Sequence, residues 1–306
     1  MIRVNNIGVL RDDWIFQNIS FELPQGKLFG IIGDSGSGKT TLLKAISGFV
    51  DIVEGAVFLD DRKLIGPTEK LVAGYEEIQL VNQDFELDTF HTVAENIKEK
   101  VLHLPKKDQQ VLVQEMLDLL ELNHISDRQV KWISGGEQQR VSIARALACE
   151  PRYLLLDEPF VHLDQQLRLK VMDYLKSLNA VRNTTIVLVS HDGAEMMGFV
   201  DEVMHLSKGG VQRIASAADM YYHPEDKLQG ALMGMINEIS LDGEKILFRP
   251  SEYTLDEANM NVTFQSYFDT GLVVFSYFTT DKNERIVLSS MKPINDVNKI
   301  RILKHS

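Results

Sequence analysis

The chain has 306 residues, of which 44% are hydrophobic and 25% charged, a balance that supports a packed core and leaves room for one large domain plus a smaller one. Its formal net charge of -12 is spread along the sequence rather than gathered in a tail, which argues against nonspecific binding to nucleic acid or anionic lipid. The single cysteine, Cys149, excludes an internal disulfide and points to a reducing compartment.

The first residues, MIRVNNIGVLRDDW, lack the run of about seven apolar residues that a secretory segment needs, and no stretch approaches the ~18 needed to span a bilayer. The chain is therefore expected to be soluble and cytoplasmic. From Trp14 to Leu23 apolar and polar residues alternate, which predicts a half-buried strand, and Pro24-Gln25-Gly26 reads as a turn. The apolar run Leu28 to Ile32 predicts a buried strand. It leads directly into Gly33-Asp34-Ser35-Gly36-Ser37-Gly38-Lys39-Thr40-Thr41 and then the helical stretch LLKAISG, which Gly48 should stop. Glycines in such a loop let successive backbone N–H groups turn inward around an anion, and the helix N-terminus adds partial positive charge at the same point. Lys39 is expected to reach the β and γ phosphates of a nucleotide, and the Thr40 hydroxyl to bind Mg²⁺.

Further along, DFELDTFHTVAENIKEK and QVLVQEMLDLLEL carry apolar residues at three- and four-residue spacing, which predicts a compact helical subdomain over about residues 84–140. It closes on WISGGEQQR, where Ser134, Gly135 and Gly136 stand at the mouth of a helix predicted over Glu137 to Ala148. This turn offers a hydroxyl and unobstructed backbone N–H groups to an anion, but no lysine: it is half of a phosphate site. The run Pro151 to Leu156 reads as a central strand ending in Asp157-Glu158-Pro159. Carboxylates at the C-terminal edge of a parallel strand face the ligand crevice. Asp157 is expected to hold Mg²⁺, and Glu158 to polarise or deprotonate an attacking water. Another apolar strand, Thr185 to Val189, ends in Ser190-His191-Asp192, where His191 can donate a hydrogen bond to the γ-phosphate.

In this order the motifs resemble the ATP-binding cassette family, specifically the ATPase subunit of an importer, over nearly the whole chain. The matching segments are a Walker A loop (Gly33 to Thr41), a glutamine loop (Val81-Asn82-Gln83-Asp84) and a signature (Ile133-Ser134-Gly135-Gly136-Glu137-Gln138). Walker B (Leu154 to Glu158), an aspartate loop (Val161-His162-Leu163-Asp164) and the histidine switch His191 follow. The resemblance implies that the nucleotide is ATP with Mg²⁺, and that Gln83 contacts Mg²⁺ or the water and reports site occupancy to a membrane partner. It implies that Asp164 faces an opposite subunit. It also implies that Ser134, Gly135 and Gly136 of one chain close over ATP held by Lys39 of another, so that a homodimer contains two composite sites. Glu137 stands where glutamine is commonest in the family, and it is expected to point outward from the triphosphate. The family stacks adenine on an aromatic side chain upstream of Walker A; the aligned position is Leu10, and Trp14 is the nearest aromatic.

The expected fold class is α/β: a P-loop cassette over residues 1–235, with a parallel-sheet core, a helical subdomain and an antiparallel β subdomain. A small all-β OB-like (TOBE-type) domain is expected over residues 236–306. There Asp242-Gly243 signals a hairpin, Leu247-Phe248-Arg249-Pro250 resembles that domain's arginine-proline element, and VTFQSYF, LVVFSYFT and RIVLSS alternate. Chromosome-maintenance ATPases insert a long coiled coil between Walker A and the signature, and translation-factor relatives carry two cassettes; this chain has neither feature. The implied partners are a second cassette subunit, transmembrane permease subunits and a solute-binding protein, but no nucleic acid. The implied location is peripheral, at the inner face of the cell membrane. Two other uses of the cassette stay open on sequence: an exporter, whose signature often carries a glutamate, and a nucleotide-gated clamp on a soluble partner.

Overall fold

The computed structural model describes residues 1–82, 85, 87–241, 243–256 and 258–303. The chain forms two compact units, the first made of Met1–His191 with Glu195–Ala217 and the second of Asp192–Ala194 with the residues from Ala218 onward. Among the described residues no helix is long and apolar enough to cross a membrane.

The first unit is built on a six-stranded sheet in the spatial order Gly210–Ser216, Glu202–Ser207, Leu28–Ile32, Thr185–Val189, Tyr153–Asp157, Ile78–Val81. All neighbours are parallel except the antiparallel edge strand Gly210–Ser216. The strands Leu28–Ile32, Tyr153–Asp157 and Thr185–Val189 are buried at every position. That is why they read as continuous apolar runs: a strand covered on both faces has no solvent side for polar residues. A four-stranded antiparallel sheet, Trp14–Leu23, Ile2–Leu10, Glu54–Leu59 and Arg62–Leu64, shares one hydrophobic core with the parallel sheet through Phe16, Ile19, Phe29, Ile31, Leu155 and Val187. Between the strands ending at Val81 and beginning at Tyr153 lie the helices Val93–Glu99, Lys106–Leu119 and Gly135–Ala148, which pack on one another as the helical subdomain.

Register fixes where the chemistry sits. Ile31 pairs with Val189, and Val189 with Asp157, so the chain leaves all three central strands at one level and at their C-terminal ends. Gly33, Glu158 and Ser190 therefore emerge along the same edge, the one where open α/β sheets bind ligands.

The second unit is all-β after two short helices, Ala217–Tyr222 and Lys227–Leu232, the first of which begins at the last residue of the first unit. Asn237–Leu241 and Glu244–Phe248 pair antiparallel, with Leu241 opposite Glu244; the Asp242 of the expected hairpin turn lies outside the described residues. A five-stranded antiparallel sheet follows, in the order Tyr253–Thr254, Lys299–Ile302, Met260–Asp269, Val274–Thr280, Arg285–Ser290. Arg249 is fully buried. Its Nε and Nη2 donate to the Tyr221 carbonyl at 2.8 and 2.6 Å, and its Nη1 to the carbonyls of Gly230, Gly234 and Met235 at 2.9–3.0 Å. Only a guanidinium presents that many donors in one fork. These bonds tie the segment Tyr221 to Met235 to the end of the strand Glu244–Phe248, so the expected boundary at 235 falls inside the second unit.

Candidate functional site

The loop from Gly33 to Thr41 joins a fully buried strand to the helix Lys39–Ile46. Two of its glycines are required by geometry. A Cβ on Gly33 would lie 2.0 Å from the Leu206 carbonyl oxygen, and Gly38, the helix N-cap, holds φ at 99°, the left-handed region that side chains disfavour. Lys39 is only 8% exposed, and its ammonium donates back to the loop, to Gly33 O at 2.8 Å and Asp34 O at 2.9 Å. Burial pulls this ammonium below its ordinary pKa, against the opposing pull of Glu158, Asp157 and Asp34. Ser37 Oγ is buried and, among the described residues, has no hydrogen-bond partner.

The helix carries Thr40 to the end of strand Tyr153–Asp157, where its hydroxyl donates to Asp157 Oδ2 at 2.6 Å. Asp157 is 3% exposed; burial raises its carboxyl above the ordinary range, the Thr40 hydrogen bond opposes this, and the neighbouring Glu158 adds to it. A nucleotide triphosphate with Mg²⁺ fits this donor set. The loop supplies a cation and a buried hydroxyl at the start of a helix, and Thr40 and Asp157 supply two adjacent hard oxygens. Among the described residues no cluster of three or more His, Cys, Asp or Glu could hold a metal by itself. Gln83, the other expected metal contact, lies outside the described residues.

Glu158 holds φ at 50°, a conformation that costs a non-glycine residue of order 1–3 kcal/mol and persists only where surroundings enforce it. Three hydrogen bonds do so: Glu158 N donates to Val189 O at 3.0 Å, and Gln139 Nε2 donates to the carbonyls of Glu158 and Pro159, both at 3.0 Å. The turn aims the carboxylate at the strand edge, where Glu158 Oε2 lies 3.4 Å from His191 Nδ1. His191 is largely exposed.

The signature segment stands on a different element, at the N-terminus of the helix Gly135–Ala148 in the helical subdomain. The helix spans Gly135–Ala148, two residues earlier than expected, because Ser134 takes the N-cap and both glycines enter the first turn. Ser134 and Gly135 are exposed, and a Cβ added at Gly135 would meet nothing within 4 Å, so the chain at Gly135 borders open space. Glu137 does not point outward. It folds back over Ser134, its Oε2 accepting from Ser134 N and Ser134 Oγ, each at 2.7 Å, while Glu137 N donates to Ser134 Oγ at 3.3 Å. This is a capping box, which satisfies helix-end donors that a solvent-directed carboxylate would leave unpaired.

Asp164 caps the helix Gln165–Arg182, accepting from Gln166 N and Leu167 N at 2.9 and 3.0 Å. Trp14 is 40% exposed, pairs with Leu10 at the top of the first hairpin, and rests against Gly8. The side chains nearest Gly38 are Ile15 and Phe16, each 3.2 Å from where its Cβ would stand. Gln139 and His162 form a pair that the sequence does not announce: His162 Nδ1 lies 2.7 Å from Gln139 Oε1. The available signal was a polar residue four before Ile143 and eight before Leu147, on the buried face of its helix.

A family model described as ABC transporter matches residues 16–161. The spermidine/putrescine import ATP-binding protein of Ruegeria pomeroyi is 36% identical over 239 residues, covering 76% of this chain and 64% of that one. The sulfate/thiosulfate import ATP-binding protein of Pseudomonas syringae pv. tomato is 34% identical over 245 residues, covering 78% of this chain and 74% of that one. The match thus spans less than two thirds of the first relative's own length. Among solved structures, the chain is similar to a dimeric ATP-binding cassette in a post-hydrolysis state bound to ADP and Pi, with a TM-score of 0.64 and 29% identity over 71% of this chain and 99% of that chain.

Proposed function

Because the chain belongs to the ABC transporter family, we propose that it is the ATP-binding and ATP-hydrolysing subunit of an importer, acting as a pair of copies at the inner face of the membrane. The observation that carries this reading is the division of labour between two loops that open two different helices. One brings Lys39 and Thr40 to Asp157 and Glu158 at the strand end, and the other carries an exposed Ser134 and Gly135 at a helix N-terminus with no lysine or arginine in Ser134–Gly136. In this reading Gly33 to Thr41 cradle the phosphates of ATP and Lys39 neutralises them. Thr40, Asp157 and Gln83 hold Mg²⁺, which when bound supplies Lewis-acid polarisation of the phosphoryl oxygens. Glu158 orients the attacking water and takes its proton, His191 steadies the γ-phosphate, and Ser134, Gly135 and Gly136 of the second copy cover it. Asp164 faces that copy, and Trp14, at the hairpin top, takes the adenine.

The import names of the relatives support the direction. A cavity of about 520 Å³ lined by Phe49, Val72, Tyr75, Phe85, Lys100 and Arg145, with Leu71 and Val72 both exposed, supports a membrane permease partner. A solute-binding protein completes the proposed importer.

Mixed copies test the reading. Lys39→Ala removes the cradle's cation, and Ser134→Asp keeps a good N-cap while repelling phosphate. Each variant alone should be inactive. An equimolar mixture should regain up to about a quarter of native activity, since half the dimers are mixed and each carries one intact composite site. No recovery would remove the cross-chain arrangement.

A further inference from the structure

We propose that Gln139 is a positioning residue that ties the signature helix to Glu158 of the same chain, so that the two composite sites of a dimer are coupled. The inference rests on the cross-chain reading above. Gln139 lies one turn into the helix Gly135–Ala148 and is 5% exposed. Its amide is fully committed: Nε2 donates to Glu158 O and Pro159 O, and Oε1 faces His162 Nδ1, which must carry the proton to donate to it. The aspartate-loop histidine also backs onto the signature itself, because a Cβ on Gly136 would stand 3.5 Å from His162 Cβ. One chain therefore places the segment that covers its partner's nucleotide and the carboxylate that serves its own nucleotide on opposite ends of a single buried side chain. A helix moves as a rigid body. When Ser134 engages phosphate, the displacement reaches the carbonyls of Glu158 and Pro159 through Gln139. Glu158 responds because its left-handed backbone is held by those same bonds. Neither Gln139 nor His162 needs to touch ATP.

The test is ATP hydrolysis by the full-length dimer across ATP concentrations. The native chain should turn over ATP cooperatively. Gln139→Met, which keeps length and apolar volume, should leave ATP affinity of the Lys39 loop within about twofold, lower kcat about ten- to a hundredfold, and bring the Hill coefficient to about 1. His162→Ala changes an exposed residue and keeps the two carbonyl bonds; it should also lower the Hill coefficient, and it decides the matter if Gln139→Met does not fold. A Hill coefficient of about 1 in the native chain, or a native value in the folded Gln139→Met protein, overturns the coupling. So does a native value in His162→Ala when Gln139→Met is unfolded. Recovery in the Lys39/Ser134 mixture alongside any of these results would sink the coupling and spare the cross-chain reading; failure of that mixture would sink both.

Discussion

Lys39→Ala is expected to weaken ATP binding by about a hundredfold or more. Native Lys39 is 8% exposed, and its ammonium is bonded to two loop carbonyls. Removing it deletes the cation of the Gly33–Thr41 loop and leaves the Gly33 and Asp34 carbonyl oxygens without the donor they accept from. One charge-assisted hydrogen bond is worth about 1.5–3 kcal/mol, and two or more to phosphate oxygens exceed the ~2.7 kcal/mol that a hundredfold represents. The fold should survive, because alanine is a good helix former at the start of the helix Lys39–Ile46. Titration of a fluorescent ATP analogue, with circular dichroism as the folding control, reads the effect. Unchanged affinity in a folded variant contradicts the cradle assignment.

Glu158→Gln is expected to separate binding from chemistry. Glutamine keeps the length of the side chain and the backbone bonds from Val189 and Gln139, so the strained turn persists. Its amide has lost the ability to take a proton from water. General-base removal costs about 10²–10⁴ in kcat, while the contacts of Lys39 and the loop are untouched. ATP should therefore bind normally and the closed dimer, no longer opened by hydrolysis, should accumulate. Size-exclusion chromatography with light scattering, run with ATP and Mg²⁺, should show dimer where the native chain shows a mixture. Native turnover in this variant would assign the water to another group, with His191, 3.4 Å away, the first to test.

Much of this arrangement is legible in the sequence, and the reason is physical. Strands Leu28–Ile32, Tyr153–Asp157 and Thr185–Val189 are buried on both faces, so each announces itself as an apolar run, and each run stops where the chain meets the ligand edge. Lys39, Asp157, Glu158 and His191 therefore reveal themselves by standing at or just past the end of an apolar run. Side-chain bonds made across long sequence separations leave no such mark. The Gln139 contact with Pro159 joins residues twenty apart, and the helical period that puts Gln139 on the buried face with Ile143 and Leu147 does not say which groups it meets there. Glu137 misleads for a different reason: charge alone suggests a solvent-directed carboxylate, whereas the unpaired amides of the helix end draw it back over Ser134. In the second unit alternation marks the strands, but the pairing of Lys299–Ile302 between Tyr253–Thr254 and Met260–Asp269 depends on long-range closure. The role of Arg249 depends on four carbonyls supplied by a segment before those strands.

ATPase specific activity over a dilution series, with the monomer fraction measured at each point by light scattering, addresses most directly whether either half-site works alone. If the pocket is completed only by a second copy, specific activity falls in step with the dimer fraction and vanishes in the monomer. Full specific activity in a verified monomer, indifferent to dilution, would contradict it.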